Sequence, residues 1–417
     1  MSVSDNQRRN EQNQQKTSAQ WREVEPRDSA DPTQHARTLL VPGAGGWFLL
    51  GASRRGKLHA HEGAYREDEF AFAVANGWNF AAIADGAGSR PMARVGAKEA
   101  CCGAVAGMAR FVEDPCNVFM DQQEAFAKQC LYAGFAAALQ CVTAAAVARG
   151  IRAESMSATL LMLAHRPAQS AQEQDFVVSA QIGDGLLIAI DYRAEDAESE
   201  DTKGVEDTKS AAASNENNAN NTERENTAKN AGFASDYSEY SPAPPAGEMT
   251  DPDEVCAPAE NSARDAPQAP FATEYFQEHR AAASETAPRA DVATVLLPLA
   301  AVDMGYYANE TQFFPDLPQD EWESRMRIHE LPPGAFLLMG MTDGVADDMY
   351  PITRYIPMLR DVVVPALQSS NPETQLLDLI GYDKRDSSDD RTLIVFYQKR
   401  FIAQAAARGK EGGNGSK

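Results

Sequence analysis

Short apolar runs separated by polar turns recur through most of the chain, in the pattern of β-strands. The runs at residues 69–74 and 80–84 flank the pair Asn76-Gly77. Both residues of such a pair tolerate positive φ, so the pattern predicts a hairpin. A second pair of runs, 176–182 and 186–190, flanks Gly183-Asp184-Gly185 and predicts another hairpin. Further strands are predicted at residues 47–53, 157–164, 292–297, 335–342 and 393–397.

Helical spacing of small and apolar residues marks two long segments, residues 93–112 and 122–149. Both are rich in Ala and Gly and contain no proline, which favours closely packed helices. Shorter helical patterns follow at 355–367 and 374–380. The segment Gly43–Gly46 is glycine-rich but lacks the Gly-Lys-Ser/Thr ending of a phosphate loop, so we interpret it as an ordinary loop.

Three segments lack the apolar residues needed for a packed core. Residues 1–37 are rich in Gln, Asn, Ser and Arg, and residues 403–417 are rich in Gly and polar residues. Between 193 and 290 the chain carries roughly 21 acidic and 8 basic residues, which is over half of its net charge of −23. We therefore predict one domain at 38–402, interrupted by a long disordered acidic insertion at about 193–290 and flanked by disordered tails.

Composition and charge indicate the cellular compartment of the protein and the classes of partner that it does not bind. An acidic chain is a poor partner for nucleic acid, whose binding relies on clustered Lys and Arg. No apolar run reaches the roughly 18 residues typical of a membrane span, and the N-terminal tail shows no signal-peptide pattern. The six cysteines have neither zinc-site nor disulfide-framework spacing. We expect a cytoplasmic protein with free thiols that binds neither nucleic acid nor membrane.

Acidic residues stand at the ends of predicted strands at five separate points. Each alone is most simply a turn, because Asp-Gly is a common turn pair. Together they predict a carboxylate cluster at one end of a sheet system. The residues are Glu67 and Asp68, Asp85, Asp184, Asp343, and Asp389 with Asp390.

Gathered carboxylates repel one another unless a cation compensates their charge. Oxygen ligands suit hard ions such as Mg²⁺ and Mn²⁺, and two such ions can activate water and polarise a phosphoryl group. The six histidines are scattered, and neither a zinc signature nor a nucleophilic triad is evident. The pattern therefore predicts hydrolysis of a phosphate ester.

Six motifs in order resemble those of the metal-dependent serine/threonine protein phosphatases of type 2C, in a bacterial-type branch. The resemblance covers about residues 45–190 and 291–398. It implies an α+β fold with two antiparallel β-sheets packed face to face and helices outside each, an α-β-β-α sandwich. The motifs are Arg66-Glu67-Asp68, Ala84-Asp85-Gly86-Ala87-Gly88, Ser157-Ala158-Thr159, Ile182-Gly183-Asp184-Gly185, Thr342-Asp343-Gly344-Val345-Ala346-Asp347 and Asp389-Asp390-Arg391-Thr392.

The same resemblance implies the roles of individual residues. Asp85 would bridge two Mn²⁺ or Mg²⁺ ions, and the carbonyl of Gly86 would bind one of them. Asp343 and Asp389 would hold the other ion. A hydroxide bridging the metals would attack phosphorus directly, which makes Asp85, Asp343 and Asp389 the residues expected to be catalytic.

Four more residues belong to the implied metal site. Glu67 and Asp68 would act mainly through metal-bound water. Asp184 and Asp347 match positions that bind a third, weaker ion in some members of the family.

The chain departs from the family pattern at three positions. Ser89 replaces a common glycine, Ala87 replaces the histidine usually taken as the general acid in animal enzymes, and Gly63 stands where those enzymes keep a phosphate-binding arginine. His59 or Arg66 could contact phosphate instead, although a structural role is favoured for each.

These observations lead to a phosphatase acting on phosphoserine and phosphothreonine in proteins, paired with a cognate kinase and monomeric. The alternative is a pseudophosphatase, a binding or regulatory module of the same fold that recognises phosphoproteins without hydrolysing them. The acidic insertion could be a regulatory arm, although a passive solvated loop is favoured.

Overall fold

The computed structural model describes residues 21–117, 119, 123–170, 172–191, 296–300, 311–333, 336–349, 352–385 and 387–399. The predicted insertion at 193–290 and the predicted C-terminal tail at 403–417 lie outside the described residues. Of the predicted strand at 292–297, only its last two residues are described.

Two antiparallel β-sheets contain all of the named strands in the described residues. The larger has the spatial order β1 (Ala36–Pro42), β2 (Trp47–Arg54), β11 (Arg391–Gln398), β10 (Phe336–Met341), β7 (Leu186–Asp191) and β8 (Leu296–Pro298). The smaller has the order β3 (Glu69–Ala75), β4 (Trp78–Ala84), β5 (Leu160–Arg166), β6 (Asp175–Ile182) and β9 (Met326–Leu331).

The first predicted hairpin is confirmed. Strands β3 and β4 pair with Ala75 opposite Trp78, so that only Asn76 and Gly77 form the turn. Their φ angles are 43° and 80°, and such positive values are cheapest for Asn and Gly.

The second predicted hairpin is wrong. Strand β6 pairs with β5 and β9 in the smaller sheet, whereas β7 pairs with β10 and β8 in the larger one. The turn at Gly183-Asp184-Gly185 does reverse the chain, with φ of 92° at Gly183 and 99° at Gly185. Both strands are buried apolar runs, and local sequence does not tell such runs which strand to pair with.

Three apolar layers hold the sandwich together. The inner layer lies between the two sheets and includes Phe70, Ile83, Leu338 and Phe396, each at most 1% exposed. Burying a side chain of this size contributes about 1.5–3 kcal/mol. The two outer layers join each sheet to its helices. The predicted α-β-β-α sandwich is thereby confirmed.

The described helices lie outside the sheets or at their ends. Helices α2 and α3 pack in one apolar cluster with the smaller sheet, and α5 and α6 pack in another with the larger. The helices are α1 (Lys57–Glu62), α2 (Ala93–Glu113), α3 (Gln123–Arg149), α4 (Asp343–Ala346), α5 (Ile352–Gln368) and α6 (Pro372–Leu379).

Small residues let α2 and α3 approach closely. A Cβ atom on Gly107 would lie 2.4 Å from the carbonyl oxygen of Ala133. By length and composition α3 is the one described helix that could cross a membrane. Its residues Phe126, Leu131 and Phe135 are nevertheless buried in the core, which is how the core helix of a globular domain behaves.

The described part of the predicted N-terminal tail differs from the expectation. Strand β1 begins at Ala36, and Val24 N donates to the Ala60 carbonyl at 2.8 Å. Asp31 accepts a hydrogen bond from Arg149 at 2.6 Å. Polar contacts hold this segment, so a count of apolar residues misses it. Strand β9 was also missed, because it is an edge strand with polar residues in its sequence.

Candidate functional site

The strand ends of the smaller sheet bring two acids together. Glu69, the first residue of β3, pairs with Ala84, the last residue of β4. Asp68 and Asp85 therefore leave the sheet at the same end, where the charge of Asp68 helps to raise the pKa of Asp85. Two carboxylates this close repel each other unless a proton or a cation compensates their charge.

The larger sheet supplies two more acids in the same way. Near the end of β10, Met341 pairs with Leu393 on β11, and Thr342 N donates to the Thr392 carbonyl at 3.2 Å. Asp343 follows β10 and Asp389 precedes β11, so both lie at this end. The charge of Asp389 acts directly on Asp343, as expected of neighbours.

Two threonines join these sheet ends. Thr342 Oγ1 donates to Asp68 Oδ2 at 2.8 Å, and Thr392 Oγ1 donates to the same oxygen at 2.7 Å. On the other side, Asp85 N donates to Thr159 Oγ1 at 2.8 Å. The sequence interpretation gave these threonines no role, although each stands in one of the six motifs.

Burial and mutual repulsion raise the pKa values of the central acids. Burial, with the charges of Asp68 and Asp343, holds the pKa of Asp85 well above its usual range. Burial, with the charges of Asp389 and Asp184, raises the pKa of Asp343 to about 8. Burial and the charge of Asp390 raise the pKa of Asp68 to about 7. The cluster therefore retains protons at neutral pH unless a cation replaces them.

Asp390 binds backbone and side-chain groups of the segment 56–67, next to the carboxylate cluster. Its carboxylate accepts hydrogen bonds from Gly56 N and Glu67 N, each at 2.6 Å, and His59 Nδ1 lies 3.0 Å from Oδ2. Burial lowers the pKa of His59, but Asp390 outweighs it and the net pKa is about 9. Burial raises the pKa of Glu67 to about 7. His59 is therefore a cationic partner of Asp390, at a position next to the predicted metal ligands.

The structure places Arg66 away from the cluster surface. Its side chain is 1% exposed, with Nε donating to the Gln34 carbonyl at 3.2 Å and Nη2 to Glu69 Oε2 at 3.5 Å. A guanidinium held in this way cannot reach a substrate phosphate without unfolding its surroundings. These contacts support the structural role that the sequence analysis favoured for Arg66 over a phosphate contact.

The acids predicted for a third ion also lie near each other. Burial and the charge of Asp184 raise the pKa of Asp347. Asp184 Oδ2 accepts a hydrogen bond from Thr311 Oγ1 at 3.3 Å. Asp184 also acts on Asp343, so this pair borders the central acids.

Asp348 is a structural residue that sequence interpretation missed. It accepts hydrogen bonds from Tyr382 OH at 2.6 Å and Ser387 Oγ at 2.7 Å, and Lys384 Nζ lies 2.8 Å from Oδ1. These contacts tie the loop that precedes Asp389 to the turn that follows α4. The adjacent pair Asp347-Asp348 was the available signal, but only one member had been given a role.

In two of the Asp-Gly pairs, the glycine lies so close to a neighbouring acidic loop that a side chain would not fit. A Cβ atom on Gly86 would lie 2.9 Å from the Cβ atom of Glu67. A Cβ atom on Gly344 would lie 1.9 Å from the carbonyl oxygen of Asp390. Each glycine thus lets one acidic loop pack directly against another.

The chemistry of these residues fits hard divalent cations. In the described part of the chain, no three His, Cys, Asp or Glu residues are already arranged as a coordination shell. Three buried carboxylate oxygens there nevertheless have no hydrogen-bond partner: Glu67 Oε2, Asp68 Oδ1 and Asp343 Oδ1. Leaving a buried acceptor without a partner is costly, and an all-oxygen set suits Mg²⁺ or Mn²⁺ rather than Zn²⁺.

Comparison with solved structures finds phosphatases among the similar chains. RsbX in complex with magnesium is 11% identical with a TM-score of 0.34, covering 86% of this chain and 98% of its own. A serine/threonine phosphatase from S. agalactiae is 10% identical with a TM-score of 0.34, covering 87% and 99%. A serine-threonine phosphatase 2C from Toxoplasma gondii is 11% identical with a TM-score of 0.40, covering 88% and 99%. With TM-scores below 0.5, these similarities carry no argument about function.

Sequence comparison is more specific. No curated protein matches the chain. The family described as protein phosphatase 2C matches residues 55–227, a span that includes Glu67, Asp68, Asp85 and Asp184. The resemblance predicted from the motifs is thus confirmed, because residues 55–227 match the protein phosphatase 2C family.

Proposed function

We propose that this protein is a Mn²⁺- or Mg²⁺-dependent phosphatase that hydrolyses phosphoserine and phosphothreonine in proteins. The observation that supports the proposal most is the convergence of Asp68, Asp85, Asp343 and Asp389 at one end of both sheets. Their pKa values are raised by burial and mutual charge, and two of them have a buried oxygen without a partner. Such a cluster is stable at neutral pH only with protons or cations.

The acidic residues would have different roles in metal binding. Asp85, Asp343 and Asp389 would hold two ions, Asp68 and Glu67 would act through the surrounding water, and Asp184 with Asp347 would hold a weaker third ion. Bound divalent ions would polarise the phosphoryl group and favour ionisation of the attacking water.

Thr342 and Thr392 would keep Asp68 in place through their hydrogen bonds to Oδ2, which leaves Oδ1 available. His59 would hold Asp390, and through it the loop that carries Asp389. The proton donor for the leaving group has no assigned residue, because Ala87 stands where the animal enzymes have histidine.

Hydrolysis of p-nitrophenyl phosphate tests the proposal directly. The wild type should release p-nitrophenol with Mn²⁺ and should stop when the metal is chelated. Asp85→Ala and Asp343→Asn should lose at least about a hundredfold in kcat/KM, whereas Asp320→Asn, at an exposed site, should retain activity. Equal rates in the wild type and the two cluster variants would contradict the metal-site assignment.

A pseudophosphatase remains the second candidate, and Gly63 is the observation that favours it. This residue ends α1 with φ of 68°, and a Cβ atom there would lie 3.0 Å from Val24 Cγ1. An arginine at this position would be strained, so the usual phosphate contact is lost. Calorimetry with a phosphopeptide separates the candidates, since a pseudophosphatase would bind the peptide with Mn²⁺ without releasing phosphate.

The wider setting follows from the same proposal. We infer a cytoplasmic, monomeric enzyme that opposes a cognate Ser/Thr kinase, and the free cysteines of the described residues agree with a reducing compartment. The acidic insertion would be a passive loop or a regulatory arm. Deleting residues 195–288 and measuring kcat/KM on phosphopeptides decides between them, because a passive loop can be removed without a change.

A further inference from the structure

A cavity of about 690 Å³ opens beside the carboxylate cluster. One wall consists of residues 87–90, which directly follow Asp85-Gly86. The other wall consists of residues 311–313 and 316–318. Any molecule bound in this cavity would therefore lie next to a group held at Asp85.

Backbone pairing and one hydrogen bond connect the two walls to the site. Ala158 forms bridges with both Gly86 and Phe314, and its N–H donates to the Phe314 carbonyl at 2.9 Å. Thr311 Oγ1 donates to Asp184 Oδ2 at 3.3 Å. The cavity is thus built from the same backbone segments that position the acids.

An arginine with unused hydrogen-bonding capacity lines the cavity. Arg90 Nη2 lies 3.4 Å from Asp316 Oδ2, and this is its one ion pair among the described residues. Its Nε atom is buried and has no hydrogen-bond partner. The two terminal nitrogens of a guanidinium carry four N–H donors, and only one of these is used here, so the others remain available to a second acceptor.

Asp316, by contrast, has both of its oxygens engaged. Oδ1 accepts from Ser157 Oγ at 3.0 Å, and Oδ2 accepts from Arg90. The side chain of Arg90 is 39% exposed and that of Asp316 31%, so a ligand can reach the pair from the cavity. Arg90 thus uses a smaller share of its hydrogen-bonding groups than Asp316 does, which favours an anionic rather than a cationic ligand.

We propose that this cavity is a substrate subsite in which Arg90 binds a carboxylate side chain close to the phosphorylated residue. The inference rests on the proposed function and names a class of substrate for it: polypeptides with an acidic residue near the phosphoserine or phosphothreonine. Phe313, Leu317 and Pro318 form the apolar part of the lining and would contact the methylene groups of a glutamate. Arg90 is then a specificity-determining residue.

Matched phosphopeptides test the subsite. Each peptide of a series carries one phosphoserine and either Glu or Gln at a single flanking position. For at least one position, the wild type with Mn²⁺ should prefer Glu by about fivefold in kcat/KM, as expected for one partly exposed charge-assisted hydrogen bond. Arg90→Gln should reduce this Glu/Gln ratio to about one, and Arg90→Lys should keep part of it because charge remains.

Arg327→Gln provides the matched control, because Arg327 is an exposed arginine outside this cavity. This variant should keep the preference of the wild type. Equal Glu/Gln ratios in the wild type and Arg90→Gln would overturn the inference.

Hydrolysis of p-nitrophenyl phosphate separates this failure from that of the proposed function. If the wild type hydrolyses it but shows no Glu preference, only the subsite is wrong. If no substrate is hydrolysed, the proposed function fails. The subsite can still be tested by measuring the dissociation constants of the Glu and Gln peptides by fluorescence anisotropy. Equal dissociation constants for the two peptides would overturn the subsite.

Discussion

Asp343→Asn should stabilise the metal-free protein, although it damages the proposed site. Burial and the charges of Asp389 and Asp184 raise the pKa of Asp343 to about 8, whereas an unfolded aspartate titrates near 3.9. Between these two values the folded protein binds more protons than the unfolded chain. Its free energy of unfolding therefore falls as the pH rises through this window. Asparagine is neutral at every pH and removes this contribution.

The magnitude follows from the size of the shift. A pKa raised from 3.8 to about 8 corresponds to roughly 6 kcal/mol once the pH exceeds the higher value, at about 1.4 kcal/mol per unit. Near pH 5 most of that penalty is absent, because the carboxyl group keeps its proton. We expect the stabilisation of Asp343→Asn over the wild type to be about 3 kcal/mol larger at about pH 8 than at about pH 5.

Urea unfolding of chelator-treated protein, followed by tryptophan fluorescence, measures this difference. Asp320→Asn serves as the control, since Asp320 is exposed and lies outside the cluster. Saturating Mn²⁺ should reverse the order, because an ion that binds only the folded wild type stabilises it by mass action. The reasoning is refuted if the stability difference between Asp343→Asn and the wild type is the same at both pH values.

Three further outcomes follow from the site. Mn²⁺ affinity, measured by calorimetry, should rise from about pH 6 to about pH 8, and binding should release protons, because protons on the carboxyl groups with raised pKa values compete with the ion. An affinity that does not change with pH would contradict this. Asp348→Ala should weaken Mn²⁺ binding about tenfold, since it frees the loop before Asp389, whereas Asp348→Asn should recover part of the affinity; unchanged affinity with a lower melting temperature would mean a purely structural role. Gly344→Ala should cost about 2 kcal/mol or more in urea unfolding, because its Cβ would lie 1.9 Å from the Asp390 carbonyl oxygen, while Gly88→Ala, with nothing within 4 Å, should be nearly neutral.

Local signals predicted local structure well. Asn76-Gly77 predicted a hairpin because the two positive φ values that its turn needs depend on these residues alone. The Gly183-Asp184-Gly185 turn has positive φ values as well, yet the strand that follows it pairs in the other sheet. A turn reverses the chain, but partner choice depends on contacts with strands that are far away in sequence.

The roles of the charged residues at the site also depend partly on the sequence and partly on the tertiary structure. In the sequence, Asp389 and Asp390 are adjacent acids, and only the family resemblance assigns metal binding to Asp389 rather than to Asp390. In the fold, Asp390 is 1% exposed and bound by two backbone N–H groups, while Asp389 acts electrostatically on Asp343. Arg66, a candidate for phosphate from sequence, is held in the interior by Glu69. Burial separates such neighbours, and burial is a tertiary property.

The sequence by itself determined the strand-end position of the acids, most of the strands and helices, and the family resemblance, because periodicity, turn residues and motif order are encoded within short stretches. Only the tertiary structure decided that the charge of Asp68 acts on Asp85, that threonines from the other sheet hold Asp68, and that Arg90 lines a cavity beside them. Those facts depend on distances between segments up to 324 residues apart, such as Asp68 and Thr392, which only the packing of the two sheets brings within hydrogen-bonding range.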